Sequence, residues 1–253
     1  MYAPERQRLI AARARVDGRV DVADLAQELQ VTPETIRRDL TQLERAGVLR
    51  RVHGGAIPIE RLTFERGLEA RRVSMTAEKE RIARAALAEL PERGTVLLDA
   101  GTTTAALADI LPGDRDLVVV TNSLPIASRL VATPGLTTML LGGRVRGATL
   151  ASVDIWALRV LSEIHVDVAF MATNGVTPEL GLTTPDIAEA AVKSAMVSAA
   201  ARVVLLADHT KVGAAYFARF AEMDDVEVIL TDSGLDERLA RDLEAAGPKV
   251  VRA

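Results

Sequence analysis

Six short apolar runs constrain the fold of this chain more than any other feature. They are Val96-Leu97-Leu98, Leu117-Val118-Val119-Val120, Thr138-Met139-Leu140-Leu141, the stretch 166–171, Val203-Val204-Leu205-Leu206 and Val226-Glu227-Val228-Ile229-Leu230. Helical stretches lie between most of them. Near-continuous apolar strands alternating with helices predict an α/β fold, an open and mostly parallel sheet covered on both faces. Each run ends in small, polar or glycine residues. In order these are Asp99-Ala100-Gly101-Thr102-Thr103-Thr104, Thr121-Asn122-Ser123, Gly142-Gly143-Arg144, Ala172-Thr173-Asn174-Gly175, Asp208-His209-Thr210-Lys211 and Thr231-Asp232-Ser233. Ligands of open α/β sheets bind outside the carboxyl ends of the strands. One such loop is ordinary turn chemistry, but their recurrence predicts a pocket lined by hydroxyls, amides and lysines.

The loop at Asp99–Thr104 is the sharpest of these. A strand ends, Gly101 turns the chain, and three hydroxyls open a helix, where main-chain N–H groups and the positive helix end attract an anion. Alone, Gly-Thr-Thr-Thr reads better as a plain helix cap. Lys193 and Lys211 are candidates for the same anion, with Arg144 and Arg146 behind them; each also reads as a surface cation. The candidate ligand set is Asp99, Gly101, Thr102, Thr103, Thr104, Thr121, Asn122, Ser123, Gly142, Gly143, Arg144, Asn174, Gly175, Lys193, Asp208 and Lys211.

Before the first run the pattern differs. A helix is predicted from about Pro4 to Asp17, with Leu9, Ile10 and Ala14 inward and Gly18 as its stop. A second covers Asp21 to Leu29. Thr32 then caps a third, Pro33 suits its first position, and Glu34 meets the positive end. Ile36, Leu40 and Leu43 make its apolar face. Thr35, Arg37, Arg38 and Thr41 fall outside that face. Only Gln30 and Val31 separate the second helix from Thr32, which makes a helix-turn-helix whose last helix presents hydroxyls and guanidiniums to the major groove. Gly47 ends that helix. Residues 48–56 then read as a β-hairpin wing, in which Gly54 and Gly55 allow close approach to a phosphate. The DNA-facing set is Thr32, Thr35, Arg37, Arg38, Thr41, Arg51, His53 and Gly54.

The net charge of −4 on 253 residues divides unevenly. Residues 1–58 hold ten Arg and no Lys against eight carboxylates, a net of +2, so the remainder carries −6. A basic head on an acidic body is compatible with DNA. No cysteine is present, which excludes disulfides and thiolate metal sites. His53, His165 and His209 show no metal-ligand spacing. Neither a metal nor a cofactor is expected. With no leader pattern and no apolar span, the expected location is the cytoplasm, away from membranes.

Residues 5–57, through Thr35-Ile36-Arg37-Arg38-Asp39-Leu40 and Arg51-Val52-His53-Gly54-Gly55-Ala56, resemble the winged helix of DeoR-family transcriptional regulators. The resemblance continues to the C-terminus. It implies a sensor domain similar in fold to ribose-5-phosphate isomerase and glucosamine-6-phosphate deaminase, with Asp99–Thr104 as its phosphate loop and a sugar phosphate as effector. It favours effector contact for Lys193 and Lys211, and it likens Phe64-Glu65-Arg66 to a hinge. One departure, Ala151 to Trp156 in place of a small Gly-Pro step, bears on which sugar fits. The C-terminal half looks most like actinobacterial-type repressors of sugar phosphotransferase operons, which implies fructose 1-phosphate.

The expected organisation is a winged helix-turn-helix over 1–58, a charged and largely solvated linker over 59–75, and a sensing and oligomerising domain over 76–253. The expected protein is a homo-oligomeric repressor, dimer or tetramer, that binds a double-stranded operator and is not an enzyme. Two other readings stay open: a sugar-phosphate isomerase or deaminase with a DNA-binding appendage, and a DNA-binding protein whose body only oligomerises. Against the isomerase, the loop matched to its catalytic carboxylates, Ala172-Thr173-Asn174-Gly175, has no ionisable group.

Overall fold

The computed structural model describes residues 2–17, 19–46, 48–52, 54–58, 65 and 67–253. Gly18, Gly47, His53, Phe64 and Arg66, singled out above, lie outside the described residues.

The N-terminal part consists of α1 (Ala3–Asp17), β1 (Val20–Asp21), α2 (Val22–Glu28), α3 (Pro33–Arg45), β2 (Leu49–Val52) and β3 (Gly55–Pro58). Thr32 caps α3 as its sequence predicts, its Oγ1 accepting from Thr35 N at 3.2 Å. Ile10, Ala14, Leu25, Ile36, Leu40, Leu43, Leu49 and Ala56 form one core. Leu9, expected inside, is 47 % exposed, because α1 turns only its Ile10 and Ala14 side inward. That core also holds a charge pair. Asp39 on α3 is buried and accepts from Arg6 Nε at 2.5 Å and Gln7 Nε2 at 2.9 Å, which ties α1 to α3.

The hairpin is not two-stranded. Asp21, expected to open the second helix, instead forms β1 with Val20, and the two pair with Gly55 and Ala56, giving the order β1-β3-β2. This corrects the reason for one glycine. A Cβ on Gly55 would stand 1.9 Å from the Val20 carbonyl oxygen, so the close approach it permits is to β1. Gly54, at φ +76°, turns the hairpin.

The body is built on seven strands, all parallel. They are β4 (Arg93–Leu98), β5 (Asp116–Thr121), β6 (Leu136–Leu140), β9 (Val168–Ala172), β12 (Val203–Leu206), β14 (Val228–Thr231) and β15 (Lys249–Arg252), in the order β15-β14-β12-β9-β4-β5-β6. Alternate residues face opposite cores. Val96, Leu98, Val204, Leu206, Val228 and Leu230 face α5 (Thr76–Ala86), α6 (Thr102–Ala108) and α7 (Leu124–Leu130). Leu97, Leu205 and Ile229 face α8 (Ile155–Leu161), α9 (Ile187–Ala199) and α10 (Glu237–Glu244). Burial on both faces is why β9, β12 and β14 read as continuous apolar runs, whereas the apolar run on the edge strand β6 leaves Met139 and Leu140 exposed. The edge strand β15 carries exposed Lys249 and Arg252 at its ends and shows no such run.

Three short antiparallel features escape a search for apolar runs. β7 (Arg144–Arg146) pairs with β8 (Ala151–Val153), and β10 (Gly175–Thr177), β11 (Gly181–Thr184) and β13 (Ala218–Ala221) form a small sheet. Ahead of β4, Met75 takes the N-cap position of α5 at φ +54° with no side-chain cap. The expected solvated linker contains α4 (Leu68–Arg72) and a Glu65 side chain only 3 % exposed.

Candidate functional site

The strand order places β4 and β9 side by side, while the chain leaves β4 towards β5 and returns to β9 on the other side. Strand order reverses there, and the loops after the two strands diverge to leave a crevice. A cavity of about 380 Å³ occupies it. Gly101, Thr102 and Thr103 line it from β4, and Thr173 and Asn174 from β9. Asp208, Thr210 and Lys211 reach it from the loop after β12, and Glu189 and Lys193 from α9. Glu65, Arg71, Ser74 and Lys79 close it from the linker and α5.

Three of the chain's four lysines, Lys79, Lys193 and Lys211, therefore meet at one cavity in a chain that otherwise uses arginine. Lys193 is held rigidly. Its ammonium donates to the buried Asp99 carboxylate and to the Ala172 carbonyl, the latter at 3.0 Å, and stands 5.3 Å from the centre of the Phe220 ring. Asp99 also accepts from Ala172 N at 3.0 Å. It is not part of the cavity wall; it positions Lys193 from behind. Lys79 donates to the carbonyls of Arg71 and Ser74, and burial pulls its pKa below the ordinary lysine range. Sequence reading passed over Lys79. It lies at i relative to Ile82, Ala83 and Ala86 on the buried face of α5, and a lysine in an apolar stripe was the available signal.

The other wall is acidic. Arg146 on β7 pairs with Glu65, with Asp186 at 3.0 Å and with Glu189 at 3.2 Å. Glu189 also accepts from Thr149 Oγ1, and burial pushes its pKa up. Glu65 further accepts from Asn174 Nδ2 at 3.2 Å and pairs with Arg71 at 3.3 Å. A carboxylate and a guanidinium from the expected solvated run thus sit in the cavity wall. Only tertiary contacts with β7 and the β9 loop put them there.

Besides Asp99, eight members of the candidate ligand set do not line the cavity. Thr104 is fully buried and donates to the Gly101 carbonyl at 3.0 Å. Thr121 donates to the Leu98 carbonyl at 2.7 Å, Asn122 accepts from Ala100 N at 3.0 Å, and Ser123 caps α7. These three brace the β4 and β5 loops. Gly175 packs against the Ala214 backbone, where a Cβ would stand 2.4 Å from a carbonyl oxygen. Gly142, Gly143 and Arg144 border a separate depression with Asp154, Ile155 and Trp156, and Arg144 pairs with Asp154 at 2.7 Å. Trp156, 66 % exposed, lies there too. The helix behind Thr102, α6, spans seven residues, so the lysines supply most of the positive potential.

At the other end of the chain, α3 turns Thr32, Arg37 and Arg38 outward, with Thr35 and Thr41 half-exposed beside them. Thr32 and Thr35 hydroxyls lie 2.9 Å apart. Arg37 reaches Glu34 at 3.3 Å, and Arg51 of the wing donates to Thr41 Oγ1 at 3.2 Å. Arg38 makes no ion pair among the described residues. Gly54 is exposed at the hairpin turn. Hydroxyls and guanidiniums thus form one outward surface shared by helix and wing.

A winged helix joined to an α/β body with a ligand-sized cavity at its switch point defines a DNA-binding regulator with a sensor domain. Residues 6–61 match the DeoR-like helix-turn-helix domain, and residues 74–233 match the DeoR C-terminal sensor domain. The chain belongs to the DeoR family of transcriptional regulators. It is 37 % identical to the transcriptional regulator GlpR of Haloferax volcanii, over 98 % of this chain and 97 % of that protein. It is 35 % identical to the regulator FruR of Bacillus subtilis, over 92 % of each chain, and 28 % identical to a putative aga operon transcriptional repressor of Escherichia coli O157:H7, over 98 % of this chain and 93 % of that protein. Among solved structures, a D-ribose-5-phosphate isomerase in complex with phospho-erythronic acid aligns over 54 % of both chains at 19 % identity and a TM-score of 0.41. No helix among the described residues is long and apolar enough to cross a membrane.

Proposed function

We propose that the chain represses genes of sugar uptake or catabolism, and that a phosphorylated sugar bound in the cavity releases it from its operator. The observation that carries this is the convergence of Lys79, Lys193 and Lys211 around the Thr102–Thr103 loop. A phosphate dianion satisfies such a wall, and a neutral sugar leaves it facing water. Carboxylate oxygens of Glu65 and Glu189 and the Asn174 amide, on the acidic side, suit hydroxyl donors. The volume is that of a small-ligand site.

Binding without turnover is the reading the site chemistry supports. Aldose–ketose isomerisation needs a base on the C–H and an acid near the carbonyl. Asp99 is committed to Lys193, Glu65 to Arg146 and Arg71, Glu189 to Thr149 and Arg146, and Asp208 to Thr210. Release follows from linkage: the effector favours an arrangement in which the paired winged helices no longer fit their half-sites. Exposed Met139, Leu140, Val145, Ile155 and Trp156 around β6, β7 and α8 support a homo-oligomer, since a surface so apolar invites a partner.

The test is a thermal-shift screen of hexose and pentose phosphates beside their free sugars, with fructose 1-phosphate first, followed by NMR of the recovered ligand. A compound at a hundred times its Kd adds about 2.7 kcal/mol of stability. Lys211→Ala should remove most of that shift. Equal shifts for free and phosphorylated sugars would overturn the reading, as would conversion of the ligand.

A further inference from the structure

The linker helix α4 brings a guanidinium to the cavity wall with most of its donors unmet. Arg71 uses Nη1 on Glu65 Oε1, 3.3 Å away. Its Nε and Nη2 are buried and have no hydrogen-bond partner among the described residues. Those two atoms form the side-on edge of an arginine, which grips two oxygens of a phosphate or carboxylate at once. Folded chains seldom leave buried donors unpaired, because each one forfeits its hydration. Arg71 also lines the cavity, and its own carbonyl accepts from Lys79. So α4 is tied to the body through Glu65, which pairs with Arg146, on one side and by a cavity lysine on the other.

We propose that Arg71 is a ligand-binding residue through which the linker senses the cavity: its Nε–Nη2 edge takes two oxygens of the effector's anionic group. This rests on the cavity being the effector site. Both nitrogens are buried, so the side chain must turn to reach the ligand, and the unmet donors favour that turn once acceptors are present. Turning takes one of its two cations from Glu65, which keeps Arg146 and Asn174, and the incoming anion, of the same charge, weakens the hold on its carboxylate. Glu65 lies in the stretch between winged helix and body. The free and liganded proteins therefore differ in what anchors that stretch, which is the differential interaction a switch requires.

The experiment uses the full chain as wild type, Arg71→Lys and Glu65→Gln. Ligands are inorganic phosphate, sugar phosphates and the matching sugar carboxylates. Affinity is read by calorimetry, and release from an operator recovered by selection from random duplexes. Lysine keeps the charge but loses the two-point edge. Arg71→Lys should weaken the best anion at least about tenfold, the effect expected for a lost charge-assisted hydrogen bond. Its ligand-free melting is recorded beside wild type to show that the fold is kept. Glu65→Gln should bind the anion more tightly and leave the operator at lower ligand concentration. Affinity within twofold of wild type in Arg71→Lys overturns the proposal. Should that variant melt early, unchanged affinity in Glu65→Gln overturns it instead. If wild type binds a sugar carboxylate but no phosphate, and Arg71→Lys loses it, the phosphate reading falls and Arg71 stands. A wild type that binds none of these anions overturns both.

Discussion

Removal of the Asp99 carboxylate tests whether the cavity's cationic wall is held from behind. The Lys193 side chain is 5 % exposed and that of Asp99 is 0 % exposed, so the pair is shielded from water. In Asp99→Ala the ammonium keeps only the Ala172 carbonyl and the Phe220 ring face. Breaking a buried pair from one side costs about 3–5 kcal/mol, because the remaining charge stays desolvated. For a protein of this size each kcal/mol moves Tm by about 2–4 °C, so a drop of roughly 6–20 °C is expected. Lys193→Met should be similarly damaging, since it strands the carboxylate against Ala172 N alone. The double variant Asp99→Ala/Lys193→Met removes both charges and should recover much of the loss. Urea melts of the four proteins make a double-mutant cycle whose coupling should exceed about 1 kcal/mol. Additive losses would show that the two charges do not depend on each other. A drop below about 1 kcal/mol for Asp99→Ala would refute the buried-pair argument altogether.

Arg37→Ala and Arg38→Ala should each weaken specific operator binding by about 1–3 kcal/mol without lowering Tm, because neither side chain enters the core; gel-shift affinities within twofold of wild type would sink the recognition surface. A body fragment starting at residue 76 should melt below one starting at residue 65, since it lacks Glu65, Arg71 and the carbonyls that hold Lys79; equal melting would return that stretch to a passive linker. Glu189→Gln should gain on wild type as pH rises. The folded pKa of Glu189 is raised, so its stabilising contribution is complete below the ordinary carboxylate value and is lost as pH climbs through the folded one, whereas glutamine does not titrate. A Tm difference that shrinks from acid to neutral pH would contradict this.

Local and periodic features were legible without the fold. The Thr32 cap, the Ile36/Leu40/Leu43 face and the six apolar runs each depend on neighbours a few residues away, and periodicity records such dependence directly. The loops at strand ends were legible as a class, because parallel strands deliver their carboxyl ends to one side. Which loops share a cavity was not. Thr121, Asn122 and Ser123 carry the same chemistry as Thr102 and Thr103, yet they spend it bracing the β4 and β5 loops. Strand order decided that, by opening the crevice between β4 and β9. Glu65 and Arg71 belong to a charge run that composition assigns to water. Glu65 is buried because Arg146, 81 residues beyond it, offers a charge that offsets its loss of hydration, and Glu65 in turn draws Arg71 to the wall. The sequence by itself determined the elements and the chemistry at their ends. The tertiary structure alone decided which charges are paired, because pairing depends on distance in space and on exclusion of water, and neither is written in the spacing of residues along the chain.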